Sequence, residues 1–470
     1  CKIDGKGGCR LLQLIKGHII AAPSPGALDI VENGYIALRD GVIAGVSAAR
    51  PAGFSDAPVE DFGDRLILQS FADMHLHAPQ YPMLGLGMDA PLLTWLKRYA
   101  FPTEARFADA GFAREVFAHL AQALIENGTT RVCIFSSLHT EATLLLMDAL
   151  ERAGVTGYAG KVNMDQNGID GLQETTEESM RETLRWLDAC GRFTRMRPML
   201  TPRFVPACSE ALLAFLGRLS RERDLPVQSH LSENREEIEL VRRLHPDCAQ
   251  YWQVYDKYGL FHERTVMAHC VHSDACERAA LGEHGVLAAH APDSNVNLCS
   301  GVAPVRTMLD EGVRVALGSD IAGGALLPMN AVATAAIRAS KARRIASGGE
   351  EDVLSVAEAY YLATSAGARF FGAGAGFCAT RFPRAGFGAS CSSSCSKSSC
   401  GMGASMAASS AARAAARSAS RSSWRACMSS RRRSHQSLRR SPVPGAAVRT
   451  MAIPRPPTAK NSSSALPVQH

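Results

Sequence analysis

Two histidines stand two residues apart at the end of an apolar run, in Phe71-Ala72-Asp73-Met74-His75-Leu76-His77. On a β-strand, residues i and i+2 share a face, so both imidazoles reach one point near the strand's end. A third histidine ends Val227-Gln228-Ser229-His230, a fourth ends Met267-Ala268-His269, and an aspartate ends Leu317-Gly318-Ser319-Asp320. A lone His-x-His pair is more often packing or surface than ligand. Five ligand-type residues closing four separate apolar runs point to a metal. Three histidines and one aspartate with a coordination position left open suit Zn²⁺, with Fe²⁺ as the competitor. Such a metal makes hydroxide available near neutral pH by lowering the pKa of bound water. That chemistry needs a proton carrier. Glu233, three residues beyond His230, is placed to take the water's proton and deliver it to a ring nitrogen or leaving group. Its competing role is to cap a helix starting near Asn234.

These residues work together only if the elements beneath them converge. Eight strand-like runs are visible: Leu66–His77, Thr129–Phe135, Thr156–Val162, Met196–Arg203, Pro226–Glu233, Thr265–His272, Gly285–Pro292 and Val313–Asp320. Helix-like segments separate them, among them Phe112–Asn127, Glu174–Ala189, Ser209–Arg223 and Glu236–Leu244. Eight strand–helix units predict an α/β chain folded as a (β/α)8 TIM barrel, which presents its active site at the C-terminal ends of its strands. A doubly wound sheet would want a glycine-rich phosphate loop after its first strand, and none is present. Upstream, Gly17–Ala21, Gly34–Leu38 and Gly41–Ala44 read as short strands of a small antiparallel unit.

Composition divides the chain. It has 470 residues and a formal net charge of +6, yet no Asp or Glu follows Glu358. Residues 372–470 hold 15 of the 51 Lys+Arg, so residues 1–371 carry a net −9 and the remainder +15. Net charge therefore supports no nucleic-acid role for the whole chain. The end is rich in Ser, Ala and Arg, a composition that predicts disorder. The fourteen cysteines are scattered without a C-x-x-C pair, and the first residues lack an apolar signal core. Reduced thiols and a cytoplasmic location are expected. The chain begins with Cys1, so its native N-terminus is expected to be missing. No apolar run approaches the length of a membrane span. No G-x-S-x-G elbow supports a serine nucleophile, and the H-x-E with P-C-x-x-C pattern of base-flipping nucleic-acid deaminases is absent.

The motifs resemble the amidohydrolase superfamily and, within it, the guanine deaminases. The resemblance rests on His75-Leu76-His77-Ala78-Pro79-Gln80-Tyr81-Pro82, Phe101-Pro102-Thr103-Glu104-Ala105-Arg106-Phe107, Gly160–Asp165, Thr201-Pro202-Arg203-Phe204, Gln228–Asn234, Val266–His269 and Gly318–Gly324, and spans residues 15–375. It implies zinc, one per chain, on His75, His77, His230 and Asp320, with His269 beside the hydroxide and the substrate carbonyl. Glu233 becomes the proton shuttle, and Asp320 activates the attacking water. Gln80, Arg203 and Phe204 recognise guanine: Arg203 supplies donors, Gln80 a donor and an acceptor, and Phe204 a stacking face. Trp95 and Phe101 are expected to exclude water, with plain packing of a helix stripe as the alternative. A homodimer is implied, with guanine the small-molecule partner and neither membrane nor nucleic acid expected. His139, His245, His262, His272, His284 and His290 match no motif position and are expected to be structural or solvated.

The resemblance divides the chain into 1–65, N-terminal strands of a flanking β-sandwich; 66–375, the barrel; and 376–470, the tail. The second half of the sandwich should follow Phe371 but does not, which fits a shifted reading frame and predicts exposed apolar faces on the N-terminal strands. Arg431–Arg433, Arg439-Arg440 and Cys391, Cys395 and Cys400 carry weak binding alternatives. Other expectations are deamination of a related purine or triazine, or a non-catalytic product with a basic tail.

Overall fold

The structure, a computed structural model, describes residues 2–3 and 9–372. The tail reading, with its arginine and cysteine clusters, lies outside the described residues.

Four strands build the first sheet: β1 (Leu12–Ser24), β2 (Ala27–Arg39), β3 (Val42–Ser47) and β4 (Val59–Leu68), in the order β3-β2-β1-β4. The three predicted N-terminal strands fall on β1, β2 and β3. Neighbours run antiparallel except β1 and β4, which are parallel. Apolar side chains gather on both faces: Ile15, Ile19, Ile36 and Ile67 on one, Leu14 and Ala37 with Phe54 and Ala57 on the other. Ile30 and Leu66 remain 59% and 60% exposed on this sheet, large apolar surface facing water.

Eight parallel strands follow: β5 (Phe71–His77), β6 (Thr129–Phe135), β7 (Thr156–Gly160), β8 (Met196–Pro198), β9 (Val227–Leu231), β10 (Thr265–His269), β11 (Leu287–His290) and β12 (Arg314–Leu317). They pair in sequence as β5-β6-β7-β8 and β9-β10-β11-β12. A parallel bridge from Leu200 to Val227 joins the two halves. On the other side, Asp320 N–H donates to His75 C=O (2.8 Å) and His77 N–H to Ile321 C=O (3.0 Å), closing the barrel. Gly318 makes that closure possible. A Cβ there would stand 2.7 Å from His75 Cβ and 2.9 Å from its carbonyl oxygen, closer than real contacts allow.

Three predicted runs are broken. Leu66–His77 reads as one strand but is two, β4 and β5, because its halves pair with different sheets. Leu66–Leu68 align with His18–Ile20 of β1, and Phe71 begins pairing with β6. Gln69 holds the turn between them: Oε1 accepts from Ala22 N–H (2.9 Å), and its own N–H donates to Tyr360 Oη (2.8 Å). Thr156–Val162 and Met196–Arg203 each pause and resume as Val162–Asn163 and Thr201–Pro202. In the second run, Pro198 and Pro202 lack the N–H that a continuous ladder would need.

The helices between strands start where their capping residues stand. Asp109 caps Ala110–Glu126, Thr175 and Glu178 form a capping box at Thr176–Ala189, and Ser209 caps Glu210–Arg223. Trp186, Leu212, Leu213 and Leu216 are buried in the apolar core that includes strand residues Val132, Ile134 and Val227. Because all eight strands run the same way, their C-terminal ends open onto one face. Among the described residues no helix is long and apolar enough to cross a membrane.

Candidate active site

On that face His75 and His77 from β5, His230 from β9, His269 from β10 and Asp320 just past β12 come together, all buried except His230, which is partly buried. The ligand atoms of His75, His230 and His269 lie within 4.8 Å of one another, as do those of His75, His77 and Asp320. His77 Nε2 faces His230 Nε2 at 3.2 Å, and Asp320 Oδ1 lies 3.2 Å from His75 Nε2 and 3.5 Å from His77 Nε2. Atoms about 2.0–2.1 Å from one zinc ion at tetrahedral angles stand about 3.3–3.4 Å apart.

The protonation states suit a cation. Burial, and then the neighbouring imidazoles, hold His77 and His230 well below the ordinary histidine value, and burial lowers His75, so their lone pairs are free. Burial would neutralise Asp320, but His75, His269 and His77 reverse this and hold it well below the carboxylate range. Despite its approach to Asp320, His75 Nε2 has no hydrogen-bond partner in acceptable geometry and is fully buried. An orphaned nitrogen among neutral imidazoles and an ionised carboxylate is costly without a cation. The residues fit a divalent metal.

Outer partners aim the rings. Nδ1–H of His230 donates to Arg203 C=O (2.6 Å), which leaves Nε2 as the bare nitrogen. Nδ1–H of His269 donates to Asn295 Oδ1 (2.8 Å), and Ser294 Oγ–H donates to Asp320 Oδ2 (2.5 Å). The backbone at the strand ends is itself unusual. His269, Cys270, Ser232 and Asp320 have φ of 73°, 48°, 47° and 47°, a left-handed conformation that non-glycine residues seldom adopt.

Glu233 sits beside this group, with Oε2 3.6 Å from His269 Nε2, and accepts from Ser300 Oγ–H (3.1 Å). Burial, and the nearby Glu237 and Asp320 charges, push its carboxyl up to about 7. The capping role belongs to others: Asn234 caps the helix Arg235–Leu244 in a box with Glu237. His269 moves the opposite way from the other imidazoles. Burial opposes its charge, but Glu233 and Asp320 outweigh burial and raise its pKa.

A cavity of about 440 Å³, open at its mouth, extends from these groups. Gln80, Arg203 and Phe204 also line it, and Leu92, Trp95 and Leu298 supply apolar wall. Phe101 is not in the wall; it lies beneath the Arg203 guanidinium, 4.9 Å from ring centre to Cζ. Thus the residues singled out for metal, proton transfer or ring recognition line one space, except His75, which stands behind it in the ligand group. His139, His245, His262, His272, His284 and His290 belong to neither ligand group.

The amidohydrolase family model matches residues 66–377. The guanine deaminase of Dictyostelium discoideum is 36% identical over 380 residues, covering 77% of this chain and 84% of the relative. The human guanine deaminase is 35% identical over 364 residues, covering 77% and 78%. The chain belongs to the amidohydrolase family, among the guanine deaminases. A solved guanine deaminase from C. acetobutylicum with guanine in its active site superposes with a TM-score of 0.75 at 42% identity, over 77% of this chain and 87% of that one.

Four contributors of this amidohydrolase site carry no assigned role from the sequence: Ser294, Asn295, Ser300 and Glu104. Ser294 and Asn295 were within reach, since they follow the end of β11 on the face where all other ligands lie. Ser300 stands on an irregular segment and Glu104 on the five-residue helix Phe101–Ala105, both too short for a periodicity to mark them.

Proposed function

We propose that the protein hydrolyses guanine to xanthine and ammonia. Membership of the family makes the chain a hydrolytic deaminase; the proposal adds the substrate and the roles. Its main support is the cavity, whose lining brings His77, His230 and Asp320 of the ligand group together with Glu233, Arg203, Gln80 and Phe204. The relatives named guanine deaminase, and the solved one holding guanine, support the same substrate.

A divalent metal held by His75, His77, His230 and Asp320 would supply hydroxide near neutral pH by lowering the pKa of water. Arg203 and Gln80 hold the ring by its edge, and Phe204 stacks on its face. Glu233, with a carboxyl near 7, exists in both protonation states at neutral pH. It takes a proton from the attacking water and gives it to the adjacent ring nitrogen. The amino-bearing carbon becomes tetrahedral; the added hydroxyl then gives its remaining proton to the amino group, the C–N bond breaks as the carbonyl forms, and ammonia leaves. His269, whose pKa the Glu233 and Asp320 carboxylates raise, is placed to donate a hydrogen bond to oxygen at that carbon. Trp95 covers the cavity from the side and keeps bulk water out.

Zinc as the metal, a homodimer, a cytoplasmic location and the division into a flanking sandwich and a barrel at about residue 65 belong to the same proposal. They rest on the family resemblance. The deciding experiment is guanine-to-xanthine conversion by the purified, zinc-supplied chain beside a Glu233→Gln variant. Conversion by the first and its loss in the second are expected. A soluble, metal-loaded protein that leaves guanine unchanged would sink the proposal.

A further inference from the structure

The recognition end of the cavity contains an acid that does not line it. Glu104 is 2% exposed, and Arg203 beside it 3%. The two form a bidentate pair: Arg203 Nη2–H donates to Glu104 Oε1 (2.9 Å) and Nη1–H to Oε2. Glu104 Oε1 also accepts from Gln80 Nε2–H (2.8 Å). The other end of the Gln80 amide is occupied too, because its Oε1 accepts from Ala322 N–H (2.9 Å). The amide of Gln80 therefore has one possible orientation. A flip would set its oxygen against the Glu104 carboxylate and its NH₂ against the Ala322 N–H, losing both bonds. Phe101 beneath the guanidinium completes the clamp on Arg203.

The donor count decides what this edge can bind. Arg203 has no acceptor at all and keeps N–H groups beyond the two that Glu104 takes. Gln80 keeps one N–H, while its oxygen is already engaged by backbone. From the sequence Gln80 offers one donor and one acceptor; in the structure its wholly uncommitted group is an N–H, while its oxygen already accepts from Ala322 and keeps only a second lone pair. The same lining also holds carboxylates, Glu233 and Asp320. The buried Arg203 charge is matched by Glu104, so this edge favours a neutral carbonyl or ring nitrogen over an anion.

We infer that Glu104 is a positioning residue that turns Arg203 and Gln80 into an all-donor edge, selecting heterocycles with a carbonyl-type acceptor opposite the reacting amino group. A ring with an amino group at that place would set donor against donor, leaving buried polar groups unpaired. This inference rests on the cavity being a purine site.

Binding of hypoxanthine and of purine to the full chain, titrated by calorimetry, separates this from a merely structural role. The two ligands differ in the ring carbonyl, and neither carries the amino group that would be hydrolysed. The wild type is expected to bind hypoxanthine about tenfold more tightly than purine or better. Glu104→Gln should bring the ratio within about threefold by weakening hypoxanthine alone, and Glu104→Asp should recover part of it. An unchanged ratio in Glu104→Gln, equal loss of both ligands, or no preference in the wild type would overturn the inference. If Glu104→Gln fails to fold, Gln80→Met carries the test. It removes one donor and leaves the ion pair, so hypoxanthine should weaken about threefold or more with purine unmoved; no change there overturns the inference as well. Guanine turnover is read in parallel. Carbonyl preference without turnover would refute the proposed reaction and leave the role of Glu104 standing.

Discussion

The two ends of the barrel treat carboxylates in opposite ways. At the N-terminal end, Glu151 near the close of the helix Thr140–Ala153 meets the start of β8. It accepts from Thr194 N–H (3.0 Å) and Oγ–H (2.5 Å), Arg195 N–H (2.9 Å) and Met196 N–H (3.0 Å). Burial opposes its charge, but these donors win and hold its pKa below the usual value. At the C-terminal end, Glu233 has one hydroxyl donor and a carboxyl near 7, and the charge of Asp320 is held chiefly by imidazoles. One end satisfies its carboxylate with backbone and stabilises a strand entry. The other sets its carboxylates among imidazoles, beside backbone in left-handed conformations at Ser232, His269 and Asp320, and so keeps groups that can exchange protons. This is the division of labour expected of a barrel whose loops carry function on one face only.

That contrast can be broken from either side. The largest effect should come from stripping divalent metal with a chelator. Deaminase activity should vanish, the melting temperature should fall, and both should return on adding zinc, because a ligand bound only by the folded state stabilises it. An active chelated protein would refute the metal reading of the histidine cluster. Next, Glu233→Gln should lower kcat about 10²–10⁴-fold, the usual worth of a positioned acid–base group, with little change in melting temperature. A comparable loss of stability would instead place Glu233 with the structural carboxylates. At the other end, Glu151→Ala should leave kcat unaltered and lower unfolding free energy by about 1–3 kcal/mol, since it strands several donors. Urea unfolding measures this.

The smallest effects concern pH. The pKa of Glu151 lies below its ordinary 4.5, so its stabilisation is complete above that value and is lost as pH falls through the folded-state pKa. Glu277, toward the C-terminal face, accepts from Ser232 and Ser273 hydroxyls, and burial pushes it up to about 7. Between pH 4.5 and 7 the folded chain keeps a proton there that the unfolded chain has lost, so stability falls as pH rises through that window. Chemical unfolding of Glu151→Gln and Glu277→Gln across pH should remove contributions of opposite slope. Equal slopes would abolish the contrast.

Much of the site is legible in the residue order. His75 and His77 declare themselves through the two-residue strand period, and His230, His269 and Asp320 because they close apolar runs. Periodicity serves less well at turns. It joins Leu66–Leu68 to β5, because an apolar run does not say which sheet its backbone will bond. Glu104 appears in a motif without a role: its partners Gln80 and Arg203 lie 24 and 99 residues away. Likewise Phe101 reads as a water-excluding wall and proves to be the support beneath Arg203.

The sequence alone determined which residue types could hold a metal and move a proton, and that eight strand ends would present them on one face. Those properties follow from side-chain chemistry and from local periods of two and 3.6 residues. The tertiary structure alone decided which of Gln80's two polar groups is left for a ligand. It also decided which imidazoles stay neutral, and whether Glu233 caps a helix or faces His269. Each of these depends on burial and on contacts between distant segments, where removing water makes one unpaired polar group more costly than any local preference.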